Sequence, residues 1–251
     1  MRLTLNVADR KREVLIYHPP SLREPMPVVM VLHGAGASPE WMLDETRFAT
    51  LADREGFLLV LPEGLTTQPQ KLPKFLTNPQ RWNDGSPVAR EWTDAPDDVA
   101  FIQTVLDELP FSIDPKRIYL TGFSNGAAMT FRAAAALPGR FAAIAPVAGH
   151  CYVDRPSIAI PTLYLIGSDD PLIPLAGGEV VTPWKRTETK LSVQSSLDQW
   201  NAMTGSVPVV EIIDGLGHHW PGGLGRLSER IGGNPTSTVD ATERIWRFFT
   251  L

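Results

Sequence analysis

Gly122-Phe123-Ser124-Asn125-Gly126 lies between the apolar run Ile118-Tyr119-Leu120 and the alanine-rich stretch Ala127-Ala128-Met129-Thr130-Phe131-Arg132-Ala133-Ala134-Ala135. The first flank reads as a buried strand and the second as a helix. A Gly-x-Ser-x-Gly caught between strand and helix reads as a nucleophile elbow. Such a turn is cramped, so the positions flanking the serine must do without side chains. The helix behind it aims backbone N–H groups and a positive dipole end at any oxyanion formed beside the serine.

Working outward, residues 3–7 and 13–17 read as an opening hairpin. The continuous apolar run 27–32 reads as a strand buried on both faces, and it ends in the glycine-rich turn His33-Gly34-Ala35-Gly36-Ala37. A helical period spans 40–54, and a second buried strand spans 57–61. Residues 63–95 are rich in Pro, Gln, Thr and Asn without a clear period, which marks a functional or mobile loop. A helix is expected over 97–109, strands over 141–148 and 161–166, an irregular stretch over 171–190, a helix over 191–203, a strand over 207–213 and a terminal helix over 239–249. Strands alternating with helices predict a mostly parallel central sheet covered by helices on both faces. We expect one domain over residues 1–251, without a separate lid domain.

The 251 residues suffice for one large core, and 43% hydrophobic with 20% charged residues is ordinary for a globular chain. A net charge of −5 with no Lys/Arg cluster offers nucleic acid no phosphate track. Cys151 stands alone, so neither an intrachain disulfide nor a cysteine-rich metal site can form. The histidines offer no tight ligand spacing, and no metal is expected. No run reaches the roughly 18 apolar residues of a membrane span, and no membrane partner is expected. The opening residues lack a signal-peptide core, so the chain as written is expected to be cytoplasmic, or secreted if a leader has been removed.

In open α/β sheets, reactive groups gather beyond the carboxyl ends of the strands. Three such ends carry matched chemistry in the order Ser, Asp, His. Ser124 is the first, Ser168-Asp169-Asp170-Pro171 the second and Gly217-His218-His219 the third. A serine hydroxyl needs an imidazole to take its proton, and a carboxylate orients that imidazole. Spacing alone does not choose between Asp169 and Asp170, or between His218 and His219. The Asn125 N–H follows the serine and is one oxyanion donor. The second comes from the 33–36 turn, with Ala35 preferred and Gly34 and Gly36 as rivals.

Leu32-His33-Gly34-Ala35-Gly36, Asp97-Asp98-Val99-Ala100-Phe101-Ile102 and the elbow with its flanks resemble the polyhydroxybutyrate depolymerase/feruloyl esterase family. So do the stretches 141–149, Gly167-Ser168-Asp169-Asp170-Pro171-Leu172-Ile173-Pro174 and Gly217-His218-His219-Trp220-Pro221-Gly222. The resemblance runs from about residue 12 onward. It implies an α/β-hydrolase fold and cofactor-free cleavage of carboxylic esters. It also implies Asp170, the acid immediately before proline, and His218, which stands two before Trp-Pro-Gly. Many members carry disulfides and a polymer-binding appendage, and neither is seen here. The expected partner is therefore a small-molecule ester, short-chain or aromatic-acid, and the oligomeric state is left open. Trp220, two residues after His218, is the foremost expected substrate contact, with Trp41 and Trp82 beside it. The rival readings are an acyltransferase on the same fold, a depolymerase of hydroxyalkanoate polyesters or oligomers, and a non-catalytic binding protein.

Overall fold

A computed structural model describes residues 1–20 and 22–251. Among them, eight strands form the main sheet: β1 (Arg2–Val7), β2 (Arg10–Tyr17), β3 (Met26–Leu32), β4 (Leu58–Pro62), β5 (Ile113–Phe123), β6 (Ala143–Val147), β7 (Leu163–Gly167) and β8 (Val209–Ile213). Their spatial order is β1-β2-β4-β3-β5-β6-β7-β8. β1, β2 and β4 pair antiparallel, and every pairing from β4 through β3 to β8 is parallel. All positions of β3, β4, β6 and β7 are buried, as strands sandwiched between two helical layers must be.

The helices α1 (Pro39–Thr46), α2 (Phe48–Glu55), α3 (Asp98–Asp107), α4 (Asn125–Ala136), α5 (Val193–Thr204) and α6 (Ala241–Phe249) fall into two groups. α1, α2 and α6 pack together on one side. On the other, α3 packs on α4, and Phe131 of α4 meets Trp200 of α5 with ring centroids 5.0 Å apart.

Three sequence expectations need correction. The helix expected over 40–54 is two helices, broken at Arg47, whose φ is 57°. The Thr46 carbonyl is diverted from the helical ladder to the Thr242 hydroxyl at 2.6 Å, which fixes the break from outside the segment. The loop 63–95 contains a two-residue strand pair, Leu65–Thr66 with Gln80–Arg81, and a short helix Pro87–Arg90. The stretch 171–190 contains a hairpin, Gly178–Val181 paired with Thr187–Lys190. These elements are too short to show a hydrophobic period.

No helix among the described residues is long and apolar enough to cross a membrane. No group of three His, Cys, Asp or Glu side chains among them is arranged to hold a metal ion.

Candidate active site

β5 ends in the tight turn that carries Ser124, with φ 57° and ψ −117°. This region is costly for a residue bearing a side chain, and it persists because the surroundings fix it. The Ser124 N–H donates to the Val147 carbonyl at 2.9 Å. A Cβ at position 122 would overlap the Gly126 carbonyl, and one at position 126 would overlap the Leu32 carbonyl. The two glycines are therefore what lets β5, α4 and β3 close around the serine.

Asp170 lies beyond β7 and His218 beyond β8. His218 Nε2 is 2.9 Å from Ser124 Oγ, and His218 Nδ1 is 2.7 Å from Asp170 Oδ2. Asp170 Oδ1 accepts the N–H groups of Leu172 and Ile173 at 2.8 and 2.7 Å. Burial alone would raise the Asp170 carboxyl pKa. The adjacent imidazole and the two N–H donors outweigh it and hold that pKa below the usual carboxylate range. Asp169 points to solvent, and among the described residues its side chain accepts only the neighbouring Ser168 hydroxyl. His219 turns away to the Gly233 carbonyl at 3.0 Å. The Gly217 and His218 N–H groups donate to the carbonyls of Asn234 and Gly232, which clamps the histidine loop.

The turn after β3 is equally constrained. Gly64 N–H donates to His33 Nε2 at 2.9 Å, so the ring proton sits on Nδ1 and is donated to the Gly34 carbonyl at 2.8 Å. Burial keeps His33 neutral, with its pKa lowered to about 4. The Gly34 carbonyl also accepts from Ala37 N–H at 3.1 Å. A trans peptide carries its C=O and N–H on opposite sides, so the Ala35 N–H faces away from this anchor. The Gly36 N–H is already used, donating to Gln80 O at 2.7 Å. Asn125 is the first residue of α4, where no intrahelical acceptor exists for its N–H. Its side chain is locked: Oδ1 accepts from Trp82 N–H at 2.7 Å, and Nδ2 donates to Asp84 at 2.6 Å.

Ser124, His218, Ala35 and Asn125 all line one cavity of about 880 Å³. Trp41 lines it too, stacked on Phe123 with centroids 6.4 Å apart, and Phe123 in turn lies 4.8 Å from the His218 ring. The expectation for Trp220 is wrong: it is 1% exposed, donates to Thr242 and packs edge-on against Phe48, away from the cavity. The adjacent backbone turns it into the core beneath α6. Trp82 is likewise fully buried and does not reach the cavity. Its indole N–H donates to the His33 carbonyl at 2.8 Å, so it braces the turn instead of meeting substrate.

Sequence reading missed Phe75 and His150, which also line the cavity, as does Trp184, one of the loop tryptophans open to that role. Trp184 donates to the Phe75 carbonyl at 2.7 Å, tying the hairpin to the 63–95 loop. His150 is 2% exposed, and neither ring nitrogen has a partner among the described residues. Its only sequence signal was its place just past a strand end.

A sheet of this strand order, with Ser, Asp and His at the ends of β5, β7 and β8, defines an α/β-hydrolase. The profile of the esterase PHB depolymerase family matches residues 13–171, and the chain belongs to that family. The protein NocK of Nocardia uniformis subsp. tsuyamanensis is 36% identical over 165 residues, covering 63% of this chain and 44% of NocK. Feruloyl esterase B of Thermothelomyces thermophilus is 26% identical over 213 residues, covering 81% of this chain and 63% of that protein. The matched stretches thus span less than two thirds of either relative. The crystal structure of native sOPH has the same fold, with a TM-score of 0.66 at 18% identity over 88% of this chain and 81% of that one.

Proposed function

We propose that the protein is a serine carboxylesterase. The observation that carries this reading is the hydrogen-bonded row Ser124–His218–Asp170 opening into the cavity. Ser124 Oγ attacks an ester carbonyl while His218 Nε2 takes its proton. The Asp170 carboxylate orients the ring and stabilises the imidazolium. The N–H groups of Asn125 and Ala35 hold the oxyanion; neither has an acceptor among the described residues, whereas that of Gly36 is spent. The imidazolium then gives its proton to the departing alkoxide. Water, deprotonated by the same ring, releases the acid and frees Ser124.

The substrates we infer are small esters with a short acyl chain or an aromatic acid. Trp41, Phe75 and Trp184 offer aromatic faces around the cavity. The hairpin side of the wall bears Arg186, Glu188 and Lys190, which would cover a long acyl chain poorly. A relative named feruloyl esterase B agrees with the aromatic option. Hydrolysis of p-nitrophenyl acetate, butyrate and dodecanoate tests the reading. Ser124→Ala should remove turnover while the melting temperature survives. Asp170→Asn should lose on the order of 10⁴ in turnover through the wrong imidazole tautomer, and Asp169→Asn should lose little. Wild-type rates in folded Ser124→Ala would refute the mechanism, and rates still rising at dodecanoate would refute the substrate class.

A further inference from the structure

Four lysine or arginine side chains line the cavity: Arg81, Arg186, Lys190 and Arg226. Three are neutralised in place. Arg186 pairs with Glu91 at 2.9 Å, Lys190 with Glu188 at 2.6 Å and Arg226 with Asp44 at 2.6 Å. Arg81 differs. Among the described residues its guanidinium meets no carboxylate and no hydrogen-bond acceptor, and its Nε is buried without a partner. The acid that acts on it most strongly is Asp84. Both Asp84 oxygens are committed elsewhere, one to Ser86 N–H at 2.9 Å and the other to Asn125 Nδ2 at 2.6 Å.

The position of Arg81 is as telling as its lack of a partner. The Gln80 carbonyl binds Gly36 N–H, and Trp82 N–H binds the Asn125 side chain. Arg81 therefore stands one residue from contacts to both arms of the proposed oxyanion pocket. Its neighbours Gln80 and Trp82 are buried, and the alternation of an extended chain puts Arg81 on the cavity side. Arg81 is half-buried, with its Nε shut off from any partner; holding a cation there without a counter-ion is costly, and the partial burial lowers the Arg81 pKa. An arriving anion would offset that cost. The planar guanidinium fork matches a carboxylate in bidentate geometry.

We propose that Arg81 is a specificity residue that binds a free carboxylate carried by the ester substrate. This rests on the esterase reading for the word substrate, and the anion site itself stands on the geometry alone. Charge-assisted hydrogen bonds of this kind favour the charged ligand about 10- to 100-fold over a neutral isostere.

Two matched pairs test it and identify the side of the ester concerned. Ethyl hydrogen adipate against ethyl adipamate places the charge on the acyl side. 4-Acetoxybutanoate against 4-acetoxybutanamide places it on the alcohol side. We expect kcat/KM to favour the carboxylate at least tenfold in one pair at pH 7.5. In Arg81→Gln that ratio should fall to about 1, and in Arg81→Lys, which keeps a point charge but loses the fork, it should lie between. Calorimetric binding of 4-acetamidobutanoate and its amide, neither of them an ester, gives a reading independent of turnover. A ratio near 1 for both pairs in the wild type, with equal binding of the two acetamido ligands, would overturn the proposal. So would a preference that survives in Arg81→Gln. If no ester is cleaved but the carboxylate still binds in an Arg81-dependent way, the esterase reading falls and the anion site stands.

Discussion

Replacing Asp98 by alanine should be among the most damaging single changes in this protein, although Asp98 touches neither Ser124 nor the cavity. Asp98 is 1% exposed and pairs with the equally buried Arg12 at 2.7 Å. Its other oxygen accepts the Asn83 N–H at 2.6 Å. Arg12 keeps two other contacts, a bond to the Glu63 carbonyl at 3.1 Å and the Phe101 ring 3.7 Å below its guanidinium. Neither neutralises it. Desolvation lowers the Arg12 pKa and raises that of Asp98, so each ion is held in place chiefly by the other. Removing one partner of a buried pair costs about 3–5 kcal/mol, and the orphaned Asn83 N–H adds about 1 kcal/mol or more. Total stabilities are about 5–15 kcal/mol, so a loss of about 4 kcal/mol is a large fraction. For a chain of this length it lowers Tm by roughly 8 °C or more. Arg12→Leu with Asp98→Leu together should recover much of the loss, because no charge is then left unpaired. Urea unfolding of the wild type, Arg12→Leu, Asp98→Leu and the double variant measures the coupling. A loss below 1 kcal/mol in Asp98→Ala, or additive single losses, would show that water reaches Arg12 and that this reasoning is wrong. The pair also bears on the site. Asn83 follows Trp82, which holds Asn125, so folded Asp98→Ala should lose ester turnover as well as stability.

Trp220→Ala should lower stability by about 3–5 kcal/mol with no selective effect on an aromatic ester, whereas Trp41→Ala should raise KM more for an aromatic ester than for an acetate. Equal KM changes for the two esters in Trp41→Ala would remove that ring from substrate binding. Acid should weaken the fold through its buried neutral histidines. His33 and His150 are each pushed down by burial to about 4, against about 6.5 unfolded. Between those values the unfolded chain binds more protons, so stability falls as pH falls, and above about 6.5 neither contributes a slope. By pH 5 each histidine should cost roughly 2 kcal/mol, read as a drop in the urea midpoint between pH 7 and pH 5 that shrinks in His150→Gln. A midpoint unchanged over that range would refute it.

The motif at 97–102 shows how far reading a sequence reached. It was legible as part of a family pattern, but its physical purpose was not. Asp97 caps α3 by accepting Ala100 N–H, while Asp98 reaches back to a strand 86 residues earlier. A local period reveals the first role and is silent on the second. The tryptophans teach the same lesson from the other side. Trp220 stands two residues from His218 in the chain, yet its side chain leaves the site, while Trp184, 34 residues away in the chain, arrives there with the hairpin. Proximity along the chain constrains where the backbone goes; it does not fix the side to which a ring turns in a loop without a period.

By itself the sequence determined the alternation of strands and helices, the elbow at Ser124 and the strand ends that hold an acid and a histidine. These are local properties: apolar runs, glycines where no Cβ fits, and turn residues at strand ends. Spacing left the choice between neighbours open and the family resemblance implied Asp170 and His218; the physical reason for that choice lies in the tertiary structure. Asp169 and Asp170 have the same chemistry, as do His218 and His219, and which member faces the serine depends on how β7 and β8 are set beside β5. The same holds for the bracing of the His33 turn by Gly64 and Trp82, and for the missing partner of Arg81. Hydrogen bonds and unpaired charges belong to groups far apart in the chain, and they exist only once the sheet has brought those groups together.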